Sequence, residues 1–175
     1  MDSRGWLSED LGKNIRDIAK IKFRQFLAVA PVAASAQVVP SASSKSYCPS
    51  YAVSKTKQHY FLDEFARRFL IEKDPIGALQ RHVSEDYIQH NPSVLSGLQA
   101  AIDAFEYFLS PQIDYTVIST DFDCGRAWIN YRMDVLGYLP SAVADLYRFE
   151  GSCIVEHWDV LEVKPVNGTN PLALW

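Results

Sequence analysis

The chain has 175 residues, 48% of them hydrophobic and 22% charged, with a net charge of -4. That is enough for one ordinary domain with a core. No Lys/Arg stripe points to nucleic acid, and no apolar run approaches the roughly 20 residues of a membrane span.

In chain order, the first feature is a signal-like segment. Lys20, Lys22 and Arg24 precede an apolar run from Phe26 to Ala34, followed by Ala34-Ser35-Ala36. That is the layout of a secretory signal with an A-x-A cleavage site. Residues 1–36 therefore read as a signal peptide or an extension, with Gln37 the first mature residue and secretion the expected fate. The alternative is a tail on a cytoplasmic protein. Asn167-Gly168-Thr169 is a glycosylation sequon, which is usable only in a secreted chain. In an exported chain, two of Cys48, Cys124 and Cys153 could be bridged and one left over. Predicted strand and turn positions permit contact between Cys124 and Cys153. No C-x-x-C spacing suggests zinc.

Residues 37–54 are rich in Ser, Ala and Pro and read as a linker. Ser54 caps a predicted helix running to about Lys73, with Phe61, Leu62, Phe65, Phe69 and Leu70 as its apolar stripe. Asp74-Pro75 opens a short second helix to about Arg81. An irregular stretch, "VSEDYIQHNPSVLSG", follows, and then a third helix over about 98–109. Four alternating segments come next: 114–120, 126–136, 141–150 and 153–164. Helices first and strands afterwards predict an α+β domain: a cone-shaped roll with N-terminal helices packed on a curved antiparallel sheet. The domain spans residues 55–165, and 166–175 form a C-terminal tail.

Several polar groups do not fit a packing role. Asp145 sits mid-strand, where Asp is depleted, and burial would make it a base useful near neutral pH. In "IVEHWDVLE", His157 and Asp159 fall on one strand face, about 7 Å apart. Glu156 and Trp158 fall on the other, and alternation does not say which face looks inward. Tyr87, His90 and Asn91 lie in the irregular stretch, where they either overhang a pocket mouth or satisfy a turn. Trp128, Tyr131 and Trp158 are core or substrate walls. No nucleophile elbow or phosphate-gripping loop occurs. What remains is carboxylate and imidazole chemistry, with no cofactor and no metal expected.

Two segments resemble the SnoaL-like polyketide cyclases of the nuclear transport factor 2-like superfamily. "DYIQHNP", with Gly97 and a helix after it, is similar to that family's first motif. "ADLYRFEGSCIVEHWDVLE" is similar to its C-terminal hairpin. The resemblance implies an α+β cone, often a homodimer through the sheet, and metal-free intramolecular aldol closure. It implies Asp159 and His157 as acid/base carriers, with Asp145 and His90 as a second line. Tyr87, Asn91, Trp128, Tyr131 and Trp158 are the residues expected to hold substrate.

The expected function is acid/base chemistry on a small hydrophobic carbonyl compound: aldol-type cyclisation, isomerisation or a related lyase reaction. The alternative from another class is a secreted module that binds such a molecule without chemistry. Epoxide hydrolysis is a third possibility, if Arg132 or Arg148 clusters with Asp145.

Overall fold

The computed structural model describes residues 45–108, 112–171 and 174–175, so the signal-like segment lies outside the described residues. Helix α1 spans Lys55–Ala66 and runs on into a wider, π-helical turn over Arg67–Ile71. Helix α2 spans Pro75–His82, β1 Val83–Gln89, α3 Leu98–Phe108, β2 Ile113–Asp123, β3 Arg126–Val135, β4 Ser141–Glu150 and β5 Cys153–Val163.

Local chemistry sets these boundaries. The Ser54 hydroxyl accepts from the Lys57 amide at 3.2 Å and opens α1. Asp74 accepts from the Gly77 amide at 2.9 Å, with Pro75 at the first helical position of α2. The other Asp74 oxygen takes the Arg68 guanidinium at 2.7 Å, fastening the π-helical turn to α2.

The helices lie against one face of a curved, unclosed five-stranded sheet of order β1-β5-β4-β3-β2. Phe61, Leu62, Phe65 and Leu70 from the helical side meet Ile129 and Ile154 from the sheet, all essentially out of solvent. The expected α+β architecture is present.

One strand was missing from the sequence reading. Val83–Gln89 is not irregular but forms an edge strand parallel to β5, with Gln89 opposite His157. Only Val83 and Tyr87 along it are buried, and Glu85 and Asp86 are exposed, so its hydrophobic alternation is faint. The sheet is therefore mixed: β2 to β5 are antiparallel and β1 is not.

The reading of residues 45–54 as linker also changes. This segment is a strap bound to the β4–β5 turn. Cys48 and Cys153 form a disulfide across 105 residues of sequence, and Cys124 is free and exposed. The Ser152 hydroxyl donates to the Tyr47 carbonyl at 2.6 Å and accepts from the Tyr51 amide at 3.1 Å. Gly151 has a φ of 51°, and a Cβ there would sit 2.3 Å from the Tyr51 carbonyl oxygen. Only glycine allows the strap to pass so close.

The strap also covers a half-buried polar cluster. The Tyr47 hydroxyl donates to Glu64 at 2.8 Å, and Arg81 donates to Glu64 at 2.6 Å. Burial pushes the Tyr47 hydroxyl up to about 12, with Glu64 adding to it. His82 sits behind this pair among Tyr47, Phe61 and Phe65, with no exposure and neither ring nitrogen hydrogen-bonded. Desolvation lowers its pKa from 6.5 to about 3.

The unfolded chain therefore binds a proton at His82 below pH 6.5 that the folded chain refuses until about pH 3. Stability must fall as pH falls through that window. Between pH 7 and pH 5 this one group should cost about 2 kcal/mol. Urea titrations at the two pH values check it: His82→Leu should flatten the dependence by that amount, and an unchanged slope would contradict the burial argument.

Candidate active site

The β4–β5 register builds the centre. Asp145 lies opposite Asp159, and Tyr147 lies opposite His157. All four point to the concave, helix-covered side, together with Ile129 and Tyr131 of β3. This answers which face of "IVEHWDVLE" looks inward: His157 and Asp159 do.

Asp145 and His157 are 5% and 8% exposed. The Tyr147 hydroxyl donates to one Asp145 oxygen at 3.0 Å, and the buried Tyr131 hydroxyl lies within reach of the Asp145 charge. The other Asp145 oxygen lies 3.4 Å from His157 Nε2, an ion-pair distance without hydrogen-bond alignment. On the ring's far side, His157 Nδ1 meets the Gln89 carboxamide oxygen at 2.9 Å. The Asn91 amide donates to Asp159 at 2.5 Å, while its own oxygen accepts from the Ser93 backbone N–H at 2.8 Å. Asn91 thus shapes its turn and reaches the centre at once.

Tyr87 completes the wall, its ring stacked 6.5 Å from that of His157. Burial, and after it the charge of Asp145, raises the pKa of the Tyr87, Tyr115, Tyr131 and Tyr147 hydroxyls. All four stay protonated and available as donors at neutral pH. They surround a small polar core with aromatic surface.

The other predicted residues do not join this centre. His90 and Trp158 lie on the outer face of the sheet, stacked on each other at 4.7 Å. His90 Nε2 contacts Glu156 at 2.8 Å, and Arg148 donates to the same carboxylate at 2.6 Å. These two hydrogen bonds, His90 first, hold Glu156 below the usual carboxylate range. Trp128 also points outward, 37% exposed, because it is out of phase with Ile129 and Tyr131. The substrate-wall reading of Trp128 and Trp158, and the proton-donor reading of His90, are corrected on this geometry.

The Asp–Arg cluster needed for epoxide opening does not form. Arg148 pairs with Glu156 and Glu150 on the outer face, and Arg132 pairs with Asp134.

Gln89 escaped the sequence reading, although it lies between Tyr87 and Asn91. A neutral amide carries no titration signal, and its role depends on the unrecognised pairing of β1 with β5.

Asp145, His157 and Asp159 can each offer a donor atom within 4.8 Å of the others. One imidazole and two carboxylates suit a divalent cation, whose tetrahedral ligands sit roughly 3.4 Å apart. As they stand, the carboxylates are engaged by Tyr147 and Asn91, and the short His157–Asp145 gap suits a proton.

No protein-family model and no curated protein matches the chain. Solved structures do. An NTF2-like protein of unknown function from Mesorhizobium loti aligns with a TM-score of 0.54 and 18% identity, over 64% of this chain and 97% of that one. AclR from Streptomyces galilaeus, named provisionally as a hydroxylase, aligns at 0.52 and 18%, over 65% and 94%. A Bacillus cereus protein named provisionally as a polyketide cyclase aligns at 0.51 and 13%, over 61% and 75%. The fold is nuclear transport factor 2-like. Within this NTF2-like fold, helices close over the sheet face that carries Asp145, His157 and Asp159.

The tyrosine contact gives a direct check. Tyr147→Phe removes a donor from buried Asp145 and should cost about 1–3 kcal/mol of stability by chemical denaturation. A loss near zero would mean the Asp145 carboxylate does not depend on that hydroxyl.

Proposed function

We propose that this chain is a SnoaL-like enzyme that performs acid/base chemistry, without a cofactor, on a small hydrophobic carbonyl compound. The reaction class is aldol-type cyclisation, isomerisation or a related lyase step. The observation that carries this reading is the convergence of Asp145, His157 and Asp159 on the concave face. Fold-level likeness to NTF2-like proteins, one of them named provisionally as a polyketide cyclase, agrees with it.

Asp159 is the base. It is less enclosed than Asp145, and Asn91 orients it. In a cyclisation, its carboxylate takes a proton from the carbon beside a carbonyl. The enolate carbon attacks a second carbonyl of the same molecule, forming one C–C bond and an alkoxide. The proton passes through His157 to that oxygen, so no proton is gained or lost overall. Asp145, held by Tyr147, balances the charge that visits the imidazole. Tyr87 and the other aromatic walls favour an apolar substrate.

Two further assignments belong to the same proposal. Export to an oxidising compartment is supported by the Cys48–Cys153 disulfide and by the exposed sequon at Asn167. A homodimer through the sheet is supported by exposed Trp128, Leu146, Ile118 and Val160 on its outer face.

The test uses proton exchange, which needs no knowledge of the natural substrate. The protein should catalyse deuterium uptake at the acidic carbon of small 1,3-dicarbonyl compounds, followed by NMR. Asp159→Asn should cut that rate by a factor of about 10²–10⁴ with folding intact. Undiminished exchange in a folded Asp159→Asn protein would remove Asp159 from the mechanism.

A further inference from the structure

The ring of His157 has two nitrogens with different surroundings, and one neighbour determines which carries hydrogen. That neighbour is Gln89. Its carboxamide orientation is fixed independently of the imidazole. The backbone N–H of Asn91 lies 2.9 Å from the Gln89 Oε1 position, and a backbone amide can only donate. An acceptor, the carbonyl oxygen, must stand there, so the amide cannot be flipped. The Gln89 nitrogen points instead to the Tyr87 hydroxyl at 3.3 Å. The backbone of Gln89 is itself held, its N–H donating to Ser96 at 3.1 Å.

The same oxygen lies 2.9 Å from His157 Nδ1. A carbonyl oxygen only accepts, so Nδ1 must carry the hydrogen. In a neutral imidazole the other nitrogen is then bare. That nitrogen, Nε2, is buried without a hydrogen-bond partner, and Asp145 is offset from it at 3.4 Å. The opposite tautomer would set two lone pairs against each other at 2.9 Å. It would also turn the hydrogen toward Asp145, which is where the ring would place it if Gln89 were absent.

We propose that Gln89 is a positioning residue that holds the His157 proton on Nδ1 and leaves the Nε2 lone pair on the side of Asp145. The inference rests on the acid/base reading only for its use. There, a bare Nε2 is what allows His157 to take a proton from Asp159 and hand it on. The tautomer itself is a ground-state property and is measured without any substrate.

The experiment is a long-range proton–nitrogen NMR correlation on the full chain labelled with ¹⁵N, at a pH where the imidazole is neutral. His157→Gln identifies the signals among the four histidines. The wild type should show hydrogen on Nδ1 and a bare Nε2. Gln89→Leu should reverse the ratio in favour of Nε2–H. Gln89→Glu keeps an acceptor beside the ring and should keep the hydrogen on Nδ1, which decides the matter even if Gln89→Leu fails to fold.

An Nε2–H wild type, an unchanged ratio in folded Gln89→Leu, or a bare Nδ1 in Gln89→Glu would each overturn the proposal. None of these outcomes bears on whether Asp159→Asn loses proton exchange. Conversely, full exchange in Asp159→Asn would end the acid/base reading and leave the tautomer assignment standing.

Discussion

The antiparallel register between β4 and β5 is the constraint on which the centre depends. It places Asp145 across from Asp159 and Tyr147 across from His157 on the covered side of the sheet. A slip of one residue would send both Asp159 and His157 to the outer face and bring Glu156 and Trp158 inward. The register is pinned at the hairpin end by the Gly151-Ser152 turn, over which the 45–54 strap passes and to which it is bonded. Local backbone chemistry at one turn thus fixes the polar geometry several residues along the strands.

The two sheet faces solve different electrostatic problems with similar residues. On the outer face, Glu156 meets His90 and Arg148, and solvent shares the charge. On the covered face, Asp145 meets no arginine among the described residues and is solvated by the Tyr147 hydroxyl instead. Neutral donors stabilise a carboxylate without cancelling it, which keeps its charge effective at short range in a low-dielectric setting. A guanidinium in that place would have made a structural salt bridge.

Much of the fold was legible in the sequence because the helices and the last four strands carry strong periodicity. The Phe61–Leu70 stripe and the alternation from 141 to 150 agree with burial, whereas burial along β5 does not alternate because a bulge interrupts its pairing with β4 and its far end is exposed. In the site, His157 and Asp159 share a face, as period two requires. Which face is covered could not be read, because alternation is symmetric until a partner layer is known. Parity alone separates Trp128 from Tyr131, so the two could not both have lined one wall. The edge strand β1 was hidden because a half-solvated edge needs few apolar residues, and Gln89 was hidden with it. The strap was hidden because Ser- and Pro-rich composition describes local backbone preference and carries no record of a distant disulfide.

The Cys48–Cys153 bond also turns the domain into a covalent ring. Among the described residues, every helix and the strands β1 to β4 lie within the closed loop, and β5 leaves it as a tail bearing His157 and Asp159. A single backbone cut between Cys48 and Cys153 would therefore open the ring without releasing a fragment. Both pieces would stay joined as one molecule, with β5 still tethered beside β4. A chain built this way tolerates a nick in its exposed loops, whereas a cut just after Cys153 would release the two residues placed at the centre.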